Sequence, residues 1–305
     1  ILMISPKVYF RDVRKVKPQT LKNYMTMLRK LNNDEEPETV NYLEDTTAVF
    51  EYIKKLSLST QRTYIICVKS ALQSVCGLDD AKDIYEEKLE ELNFQYDEKM
   101  KLYQKTDKED ERMCSLEELK LVADYWMELL DEVIFNEKHH RKVWDIYRYA
   151  IIAMLYTDIP PVRLDYANFH IIYDREKMEL GKNYVYIDEE GVVSFILQEY
   201  KTSRKYHEKI YSATTRLSTI IKEWLEVNDT GFLFPNRDLD APMSGNAFGK
   251  TIPKVFEPTG KKITLNIIRH IWISQNVDHQ VLDKNAALAE SMCHSPATQK
   301  QYIRI

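Results

Sequence analysis

Residues 184–211 read YVYIDEEGVVSFILQEYKTSRKYHEKIY and hold the strand-like runs of a chain whose other periodic segments are helical. We predict strands over Tyr184–Ile187 and Val192–Leu197, with a returning strand at Ile210–Tyr211. Lys201 then lies at the end of this β region, at a hairpin. The stretch therefore predicts one small antiparallel sheet inside a domain that is otherwise helical.

Helical patterns flank this sheet on both sides. Ser115 and Glu118 have the spacing of a capping box, which marks the start of a helix. From apolar spacing we predict helices over Ser115–Phe135, Arg141–Tyr156, Thr214–Val227, Ser244–Phe256, Thr264–Asn276 and Val281–Met292. The predicted fold class is therefore mainly α with a small antiparallel β-sheet.

The first third of the chain is predicted to be a separate helical domain. Leu21, Tyr24 and Leu28 repeat at helical spacing. Ser59 is the predicted N-cap of a later helix, which Gly77 is placed to end. A chain of 305 residues is expected to form two domains. We predict a helical domain at 1–104, a charged linker at 105–113 and an α+β domain at 114–305.

Composition indicates a soluble intracellular protein, either nuclear or cytoplasmic. The cysteines form no CxxC pair and no cluster at zinc spacing, which favours reduced thiols and no bound metal. They are Cys67, Cys76, Cys114 and Cys293. No apolar run approaches the length of a membrane span. The chain has only 7 glycines, which argues against a glycine-rich nucleotide loop.

Charge is segregated along the chain, although the net charge is -5. Basic residues concentrate in three stretches, 7–30, 201–222 and 250–269, so that an acidic protein can still present basic surfaces. Such surfaces either bind the phosphates of duplex DNA or are ordinary solvated helix faces. We predict DNA contacts from Lys15, Lys17, Lys22, Arg62, Arg204, Lys205 and Lys262.

Five residues stand in contexts that suit phosphoryl chemistry. Arg163 lies in PPVRLD at the end of an apolar helix, and Lys201 lies in EYKTS at the predicted hairpin. Arg269 lies in TLNIIRH on an otherwise apolar helix. His294 and Tyr302 lie in HSPATQKQY. Each residue alone would be an ordinary structural or solvated side chain, and only their order carries the argument.

This order resembles the tyrosine recombinase and integrase superfamily, whose catalytic domain uses Arg, a hairpin Lys, a His/Lys-x-x-Arg box, a His and a final Tyr. The resemblance covers residues 115–305, and the helical first domain looks like the core-binding domain of the family. The PPVRLD and YKTS segments look most like those of eukaryotic mobile-element and large-DNA-virus members. The resemblance implies a homotetramer on double-stranded DNA and a catalytic set of Arg163, Lys201, Asn266, Arg269, His294 and Tyr302.

The chemistry of phosphodiester cleavage explains why these residue types occur together. Two arginines can bind the negative charge that develops on the non-bridging oxygens. Tyr302 needs nearby positive charge and a proton acceptor, His294 or in its place His270, to act as a nucleophile. Lys201 can protonate the departing 5′ oxygen. The resemblance implies a 3′-phosphotyrosine intermediate that stores the bond energy, so no ATP, metal or small-molecule cofactor is expected.

Three departures from the family pattern bear on catalysis. Asn266 stands where the box usually begins with His or Lys, and an amide carries neither a proton nor a positive charge. Tyr302 follows His294 by eight positions (302 − 294), one fewer than in the commonest bacterial members. Asp165 follows Arg163 by two positions, where three is more usual, and it either orients the arginine or is a solvated charge.

Two other functions fit the same residues. A type IB topoisomerase uses this chemistry to relax one duplex as a monomer. A DNA-binding protein with this fold and without catalysis is suggested by Asn266 and by the acidic net charge. The favoured function is site-specific recombination or integration of a mobile or viral genome, with no membrane partner.

Overall fold

The structure is a computed structural model of the chain. It describes residues 4–101, 107–135 and 140–278, together with positions 280, 281, 284, 285 and 291. The chain divides into two compact units, Ile1–Lys105 and Thr106–Ile305. The division falls inside the segment that the sequence predicts as a linker. Most described residues are helical, and one small sheet lies in the second unit.

The first unit consists of helices and turns. Its elements are α1 (Pro6–Val8), which continues as a π-helical turn (Tyr9–Val13), α2 (Pro18–Leu31), a 3-10 turn (Asn41–Glu44), α3 (Thr46–Ile53), α4 (Leu58–Leu72) and α5 (Asp79–Lys101). Asp45 and Ser57 cap α3 and α4, because each side chain accepts a hydrogen bond from a backbone amide of the first turn. The predicted cap at Ser59 is wrong, since Leu58 is already helical and Ser59 lies inside α4.

The core of the first unit is formed by apolar side chains from its longer helices. Leu28 of α2, Val68 of α4 and Tyr85 of α5 are completely buried. Tyr85 also donates a hydrogen bond of 2.8 Å to the carbonyl oxygen of Leu43, which satisfies its hydroxyl inside the core. Burial of these apolar side chains is the main favourable contribution to the folding of the unit.

The helices of the second unit agree with most of the predictions. They are α6 (Asp107–Asp110), α7 (Leu116–Phe135), α8 (His140–Thr157), α9 (Ser203–Tyr206), α10 (Thr215–Val227), α11 (Gly245–Val255) and α12 (Leu265–Asn276). The capping box that starts α7 is confirmed, because Glu118 N donates to Ser115 Oγ at 3.0 Å and Ser115 N donates to Glu118 Oε2 at 2.7 Å. The single turn α6 lies within the predicted linker. The predicted helix Val281–Met292 falls largely outside the described residues.

The sheet contains β1 (Phe169–Ile172), β2 (Asn183–Ile187), β3 (Val193–Leu197) and β4 (Lys209–Ser212), paired in that order. The predicted strands are confirmed as β2, β3 and β4, which pair antiparallel. The prediction of a purely antiparallel sheet is wrong, because β1 pairs with β2 in parallel, with Phe169 opposite Asn183. β1 is too short to show an alternating pattern, and its pairing depends on residues that lie farther along the chain.

The core of the second unit is formed by the sheet together with its helices. Phe169 of β1, Phe195 of β3 and Trp224 of α10 are completely buried. The Trp224 indole donates a 2.8 Å hydrogen bond to the Leu233 carbonyl oxygen. This core includes Tyr156 at the end of α8, Tyr166 in the turn that follows Arg163, and Ile268 of α12, and so it fixes the segments beside the candidate site. Within the described part of the chain, no helix combines the length and the apolar character needed to cross a membrane.

Candidate active site

Arg163 lies in the loop that follows α8. Pro160 and Pro161 end the helical path, because proline lacks an amide proton and its ring clashes with the preceding turn. The chain then enters a 3-10 turn, Leu164–Asn168, for which Arg163 is the N-cap residue. The hydroxyl of the buried Tyr156, at the end of α8, donates a 2.7 Å hydrogen bond to the Arg163 carbonyl oxygen. The backbone of Arg163 is thereby fixed while the residue stays exposed.

Arg269 lies on α12, whose first turn is capped by the Thr264 side chain. Its Nη1 atom donates a 2.6 Å hydrogen bond to the carbonyl oxygen of Pro161, a residue 108 positions earlier in the chain. Arg269 is partly exposed, and this bond uses one of the five N–H donors of a guanidinium. The structure therefore brings the second predicted arginine to the loop that carries the first.

The Asp165 carboxyl lies within electrostatic reach of both arginines. Burial raises its pKa, against the opposing effects of backbone hydrogen bonds and of the positive charges of Arg163 and Arg269. The positive charges of two guanidiniums therefore act on this one carboxyl group. An anion with several oxygens, such as a phosphodiester, suits this arrangement. We call these three residues the arginine cluster.

Lys201 lies on the connection between β3 and β4, and it is exposed. This position agrees with the prediction of a lysine at a hairpin, although the connection also contains the helical turn α9. The pKa of the neighbouring Tyr200 hydroxyl is raised, first by desolvation and then by Tyr211 and Tyr206. The nearby Asp165 carboxylate adds to this effect. The Asp165 carboxyl is thus within electrostatic reach of Tyr200, the residue that precedes Lys201.

Asn266 is exposed on α12, three positions before Arg269, so the two side chains are neighbours on the helix surface. It is therefore placed to reach a group that is bound at the arginine cluster. His270 is also exposed, and its Nε2 atom lies 3.9 Å from Oε1 of Glu109. His270 therefore lies within ion-pair distance of Glu109. Its predicted role as an alternative proton acceptor stays a prediction.

His294 and Tyr302 lie outside the residues that the structure describes. Their roles as proton acceptor and nucleophile therefore stay predictions. Among the described residues, Arg269 is bonded to the loop that carries Arg163, and Asn266 lies three positions before Arg269 on α12. Lys201 lies on the connection between β3 and β4, and its role in catalysis stays a prediction.

The predicted DNA contacts of the second unit are all exposed. Arg204 and Lys205 lie on α9, in the same connection as Lys201. Lys262 lies a few residues before α12, the helix of Arg269. These cations therefore share their chain segments with the candidate catalytic residues, as a surface that binds phosphates around a scissile bond requires.

The predicted DNA contacts of the first unit fall into two groups. Exposed around the start of α2 are Lys15, Lys17 and Lys22. Arg62 differs from them, because it is partly buried and its Nε donates a 2.8 Å hydrogen bond to Asn93. Its guanidinium also lies 4.0 Å from the centre of the Tyr96 ring. Arg62 thus joins α4 to α5 and has less freedom to contact a phosphate than the three lysines.

Arg216, which falls in the basic stretch 201–222, is engaged by two carboxylates. Its guanidinium makes hydrogen bonds of 2.6 and 2.8 Å to Asp158 and one of 3.0 Å to Asp124. Burial acts to raise the pKa of Asp158, but hydrogen bonds from Arg216 and Thr214 outweigh burial and lower it. Arg216 is therefore a structural cation.

Sequence reasoning missed two tyrosines whose hydroxyls hold the backbone of the candidate catalytic loops. Tyr156 binds the carbonyl oxygen of Arg163, and Tyr200 donates a 2.7 Å hydrogen bond to the carbonyl oxygen of His207. The chain contains 20 tyrosines, and no local pattern distinguishes these two from the others. Their roles become visible only when the partner carbonyl groups are located.

The second unit also contains a cavity that is separate from the predicted catalytic arginines. A cavity of about 910 Å³ is lined by residues of α8, of the segment 235–244 and of α11, and neither Arg163 nor Arg269 lines it. Within the described ranges, no three His, Cys, Asp or Glu side chains lie close enough together to hold a metal ion. The candidate active site comprises the arginine cluster, with Lys201 on the connection between β3 and β4 as a further predicted member.

No protein-family profile matches the chain, and no curated protein sequence matches it at a significant level. Support for a function therefore comes from the geometry of the site and the chemistry of its residues. The described residues that supply this geometry and chemistry lie between the end of α8 and α12.

Proposed function

We propose that the protein is a tyrosine-type DNA strand-transfer enzyme, a site-specific recombinase or integrase that acts on double-stranded DNA. One observation carries the proposal: Arg269 donates a hydrogen bond to the Pro161 carbonyl oxygen, in the loop that carries Arg163, although the two arginines lie far apart in the sequence. The charges of both arginines also act on the Asp165 carboxyl. Lys201 is exposed on the connection between β3 and β4, and Tyr200 just before it is within electrostatic reach of Asp165. Two fork-shaped cations and an ammonium suit a phosphodiester whose negative charge grows in the transition state.

The proposed reaction is a transesterification. The Tyr302 oxygen attacks the scissile phosphorus while His294 accepts or orients the hydroxyl proton, and the bond from phosphorus to the 5′ oxygen breaks. Lys201 donates a proton to this oxygen, which leaves as a hydroxyl. The 3′ phosphate stays on Tyr302 until a 5′ hydroxyl of the partner strand reverses the step. Arg163 and Arg269 hold the non-bridging oxygens and bind them most tightly in the transition state.

DNA binding is proposed to use local basic surfaces in spite of the acidic net charge. Lys205 and Lys262 are exposed near the catalytic segments, and Lys17 and Lys22 are exposed in the first unit. Contacts of this kind release counterions from DNA, so the affinity should fall steeply as the salt concentration rises. Exchange of strands between two duplexes implies a homotetramer, and a mobile or viral genome is the proposed substrate, in the nucleus or cytoplasm.

The experiment that tests the proposal is covalent capture on a library of nicked suicide duplexes, from which the released strand diffuses away. Wild-type protein should form an adduct with DNA that survives denaturation and maps to Tyr302. Tyr302→Phe should bind the duplex as wild type does and form no adduct. Tyr173→Phe is the matched control, because Tyr173 is 64% exposed and is not a site residue, and it should react at the wild-type rate. An adduct formed by Tyr302→Phe would place the nucleophile elsewhere.

Asn266 favours a second candidate, a DNA-binding protein with this fold and without catalysis. An exposed neutral amide occupies the position at which the family has a proton-carrying or charged side chain. Salt-dependent duplex binding with no adduct on any suicide substrate would support that candidate. Adduct formation with relaxation of supercoils and no joined product would instead indicate a type IB topoisomerase.

A further inference from the structure

The connection between β3 and β4 is held closed by Tyr200. Its hydroxyl donates a 2.7 Å hydrogen bond to the carbonyl oxygen of His207, seven positions farther along the chain. The Tyr200 side chain is also packed against the core of the second unit. One side chain, anchored on the core, therefore joins the two ends of the loop that carries Lys201.

The segment that Tyr200 spans has little stability of its own. It consists of α9, a helix of four residues, which is too short to be stable in isolation. The His207 amide closes the turn with a 2.7 Å hydrogen bond to the Ser203 carbonyl oxygen. His207 then turns the chain toward β4 with a φ of 55°, which is uncommon for a residue with a side chain. The Tyr200 hydroxyl adds a side-chain bond across this loop to the backbone bonds within its turn and to the 3.3 Å bond from Gln198 to Glu208.

The shape of this loop matters because a general acid must be placed at the leaving oxygen. Lys201 is exposed, and a lysine side chain has four flexible carbons, so its backbone has to be fixed for the ammonium to be positioned. Tyr200 immediately precedes Lys201. Its hydroxyl is also within electrostatic reach of the Asp165 carboxylate.

We propose that Tyr200 is a positioning residue, which fixes the loop so that Lys201 can protonate the 5′ oxygen leaving group. This inference rests on the proposed function. It predicts that loss of the Tyr200 hydroxyl slows cleavage only where the leaving group requires a proton. A purely structural role would slow cleavage of all substrates equally, or of none.

The test compares two suicide duplexes that differ in one atom, the bridging 5′ oxygen or a sulfur in its place. A thiolate leaves without protonation, because a thiol is far more acidic than an alcohol. Tyr200→Phe should cleave the oxygen duplex about tenfold more slowly than wild type and the sulfur duplex within about twofold of the wild-type rate. Lys201→Ala should show the same selectivity with a loss of about a hundredfold on the oxygen duplex.

Tyr206→Phe is the matched control, because it removes the hydroxyl of an exposed tyrosine from the same loop, and it should cleave both duplexes at the wild-type rate. Equal slowing of Tyr200→Phe on both duplexes, or no slowing on either, would overturn the inference. Wild-type protein that forms no adduct on either duplex would overturn the proposed function and the catalytic role of Tyr200 with it.

Hydrogen–deuterium exchange tests the loop independently of catalysis. The amides of residues 203–207 should exchange faster in Tyr200→Phe than in wild type or in Tyr206→Phe, because the loop has lost the bond that closes it. Unchanged exchange in Tyr200→Phe would overturn the claim that the hydroxyl fixes this loop, whatever the cleavage rates are.

Discussion

Two arginine sites in the second unit join the end of α8 to a later helix, and they have opposite balances of charge. Arg216 of α10 faces two carboxylates, those of Asp158 and Asp124. At the arginine cluster, two guanidiniums accompany the single carboxylate of Asp165. The first site is neutralised within the chain, whereas the second retains positive charge that an anionic ligand can neutralise.

The two arginines differ in the partners that hold their guanidiniums. The Asp158 side chain is 5% exposed, so its bonds to Arg216 satisfy a buried charge and stabilise the fold. Arg269 is bonded to a backbone carbonyl oxygen, which fixes its side chain without cancelling its charge. A cation that stabilises a transition state needs both properties, a fixed position and a charge that is still available.

Loss of Arg269 is expected to give the largest effect, a fall in the rate of DNA cleavage. Arg269→Ala should slow single-turnover cleavage by about a hundredfold or more, equivalent to about 2.7 kcal/mol, because it removes a donor to the developing negative charge. Arg269→Lys should recover only part of the rate, since an ammonium lacks the planar fork. Rates of adduct formation on a suicide duplex measure both variants. A wild-type rate in Arg269→Ala would remove the arginine cluster from the chemistry.

Loss of Arg216 should change stability and leave the chemistry intact. Arg216→Ala deprives the buried Asp158 of its main partner and should lower the free energy of unfolding by about 2 kcal/mol. The loss is smaller than for a fully buried pair, because the Arg216 side chain is 39% exposed. Urea denaturation measures this value, and cleavage per folded molecule should stay within about twofold of wild type. A hundredfold loss of cleavage in the folded variant would erase the distinction between the two sites.

Removal of the Tyr156 hydroxyl should have smaller effects, one on stability and one on the rate of cleavage. Tyr156→Phe leaves the Arg163 carbonyl oxygen without a hydrogen bond of 2.7 Å and should cost about 1 kcal/mol of stability. Cleavage should also slow severalfold, because the backbone of Arg163 is less firmly held. Denaturation and single-turnover kinetics on the same variant test the two claims. Lost stability with an unchanged rate would show that the bond serves only the fold.

The smallest expected effects are on the pH dependence of stability, to which Asp158 and Asp165 should contribute with opposite signs. Folding lowers the pKa of Asp158. The ionised side chain therefore stabilises the fold fully above its unfolded pKa of about 3.9, and this stabilisation is lost as the pH falls through the pKa of the folded state. Asp165 has a raised pKa, so stability falls as the pH rises from its unfolded to its folded value.

Urea denaturation across the acidic range distinguishes these two contributions. Asp158→Asn should remove the loss of stability at low pH, in a protein that is less stable at neutral pH. Asp165→Asn should remove the fall in stability that accompanies ionisation of Asp165 as the pH rises. Its stability at neutral pH should equal or exceed that of wild type, because no charge is buried at this position. Changes of the same sign in both variants would contradict the contrast between the two sites.

The sequence predicts the features that depend on nearby residues. The capping box of Ser115 and Glu118 is confirmed, as are β2, β3 and β4, because caps and alternation are encoded within a few positions. The parallel strand β1 escapes prediction, since its four residues show no alternation and its partner lies across a connecting segment.

Partners that lie far along the chain account for what the sequence does not predict at the site. Arg216 belongs to a basic stretch, yet its counter-ions lie 58 and 92 positions away. The order of residue types suggests that Arg163 and Arg269 act together. Their connection through the Pro161 carbonyl oxygen and Asp165 depends on the packing of α12 against the loop after α8, which no local pattern records.

The most direct measurement of the central claim is a crystal structure of Tyr302→Phe bound to a duplex that carries its cleavage site. We predict that the scissile phosphate lies within hydrogen-bonding distance of the guanidiniums of Arg163 and Arg269, with residue 302 opposite the 5′ oxygen. A complex in which the phosphates of the duplex contact other surfaces, and the arginine cluster contacts no phosphate, would contradict it.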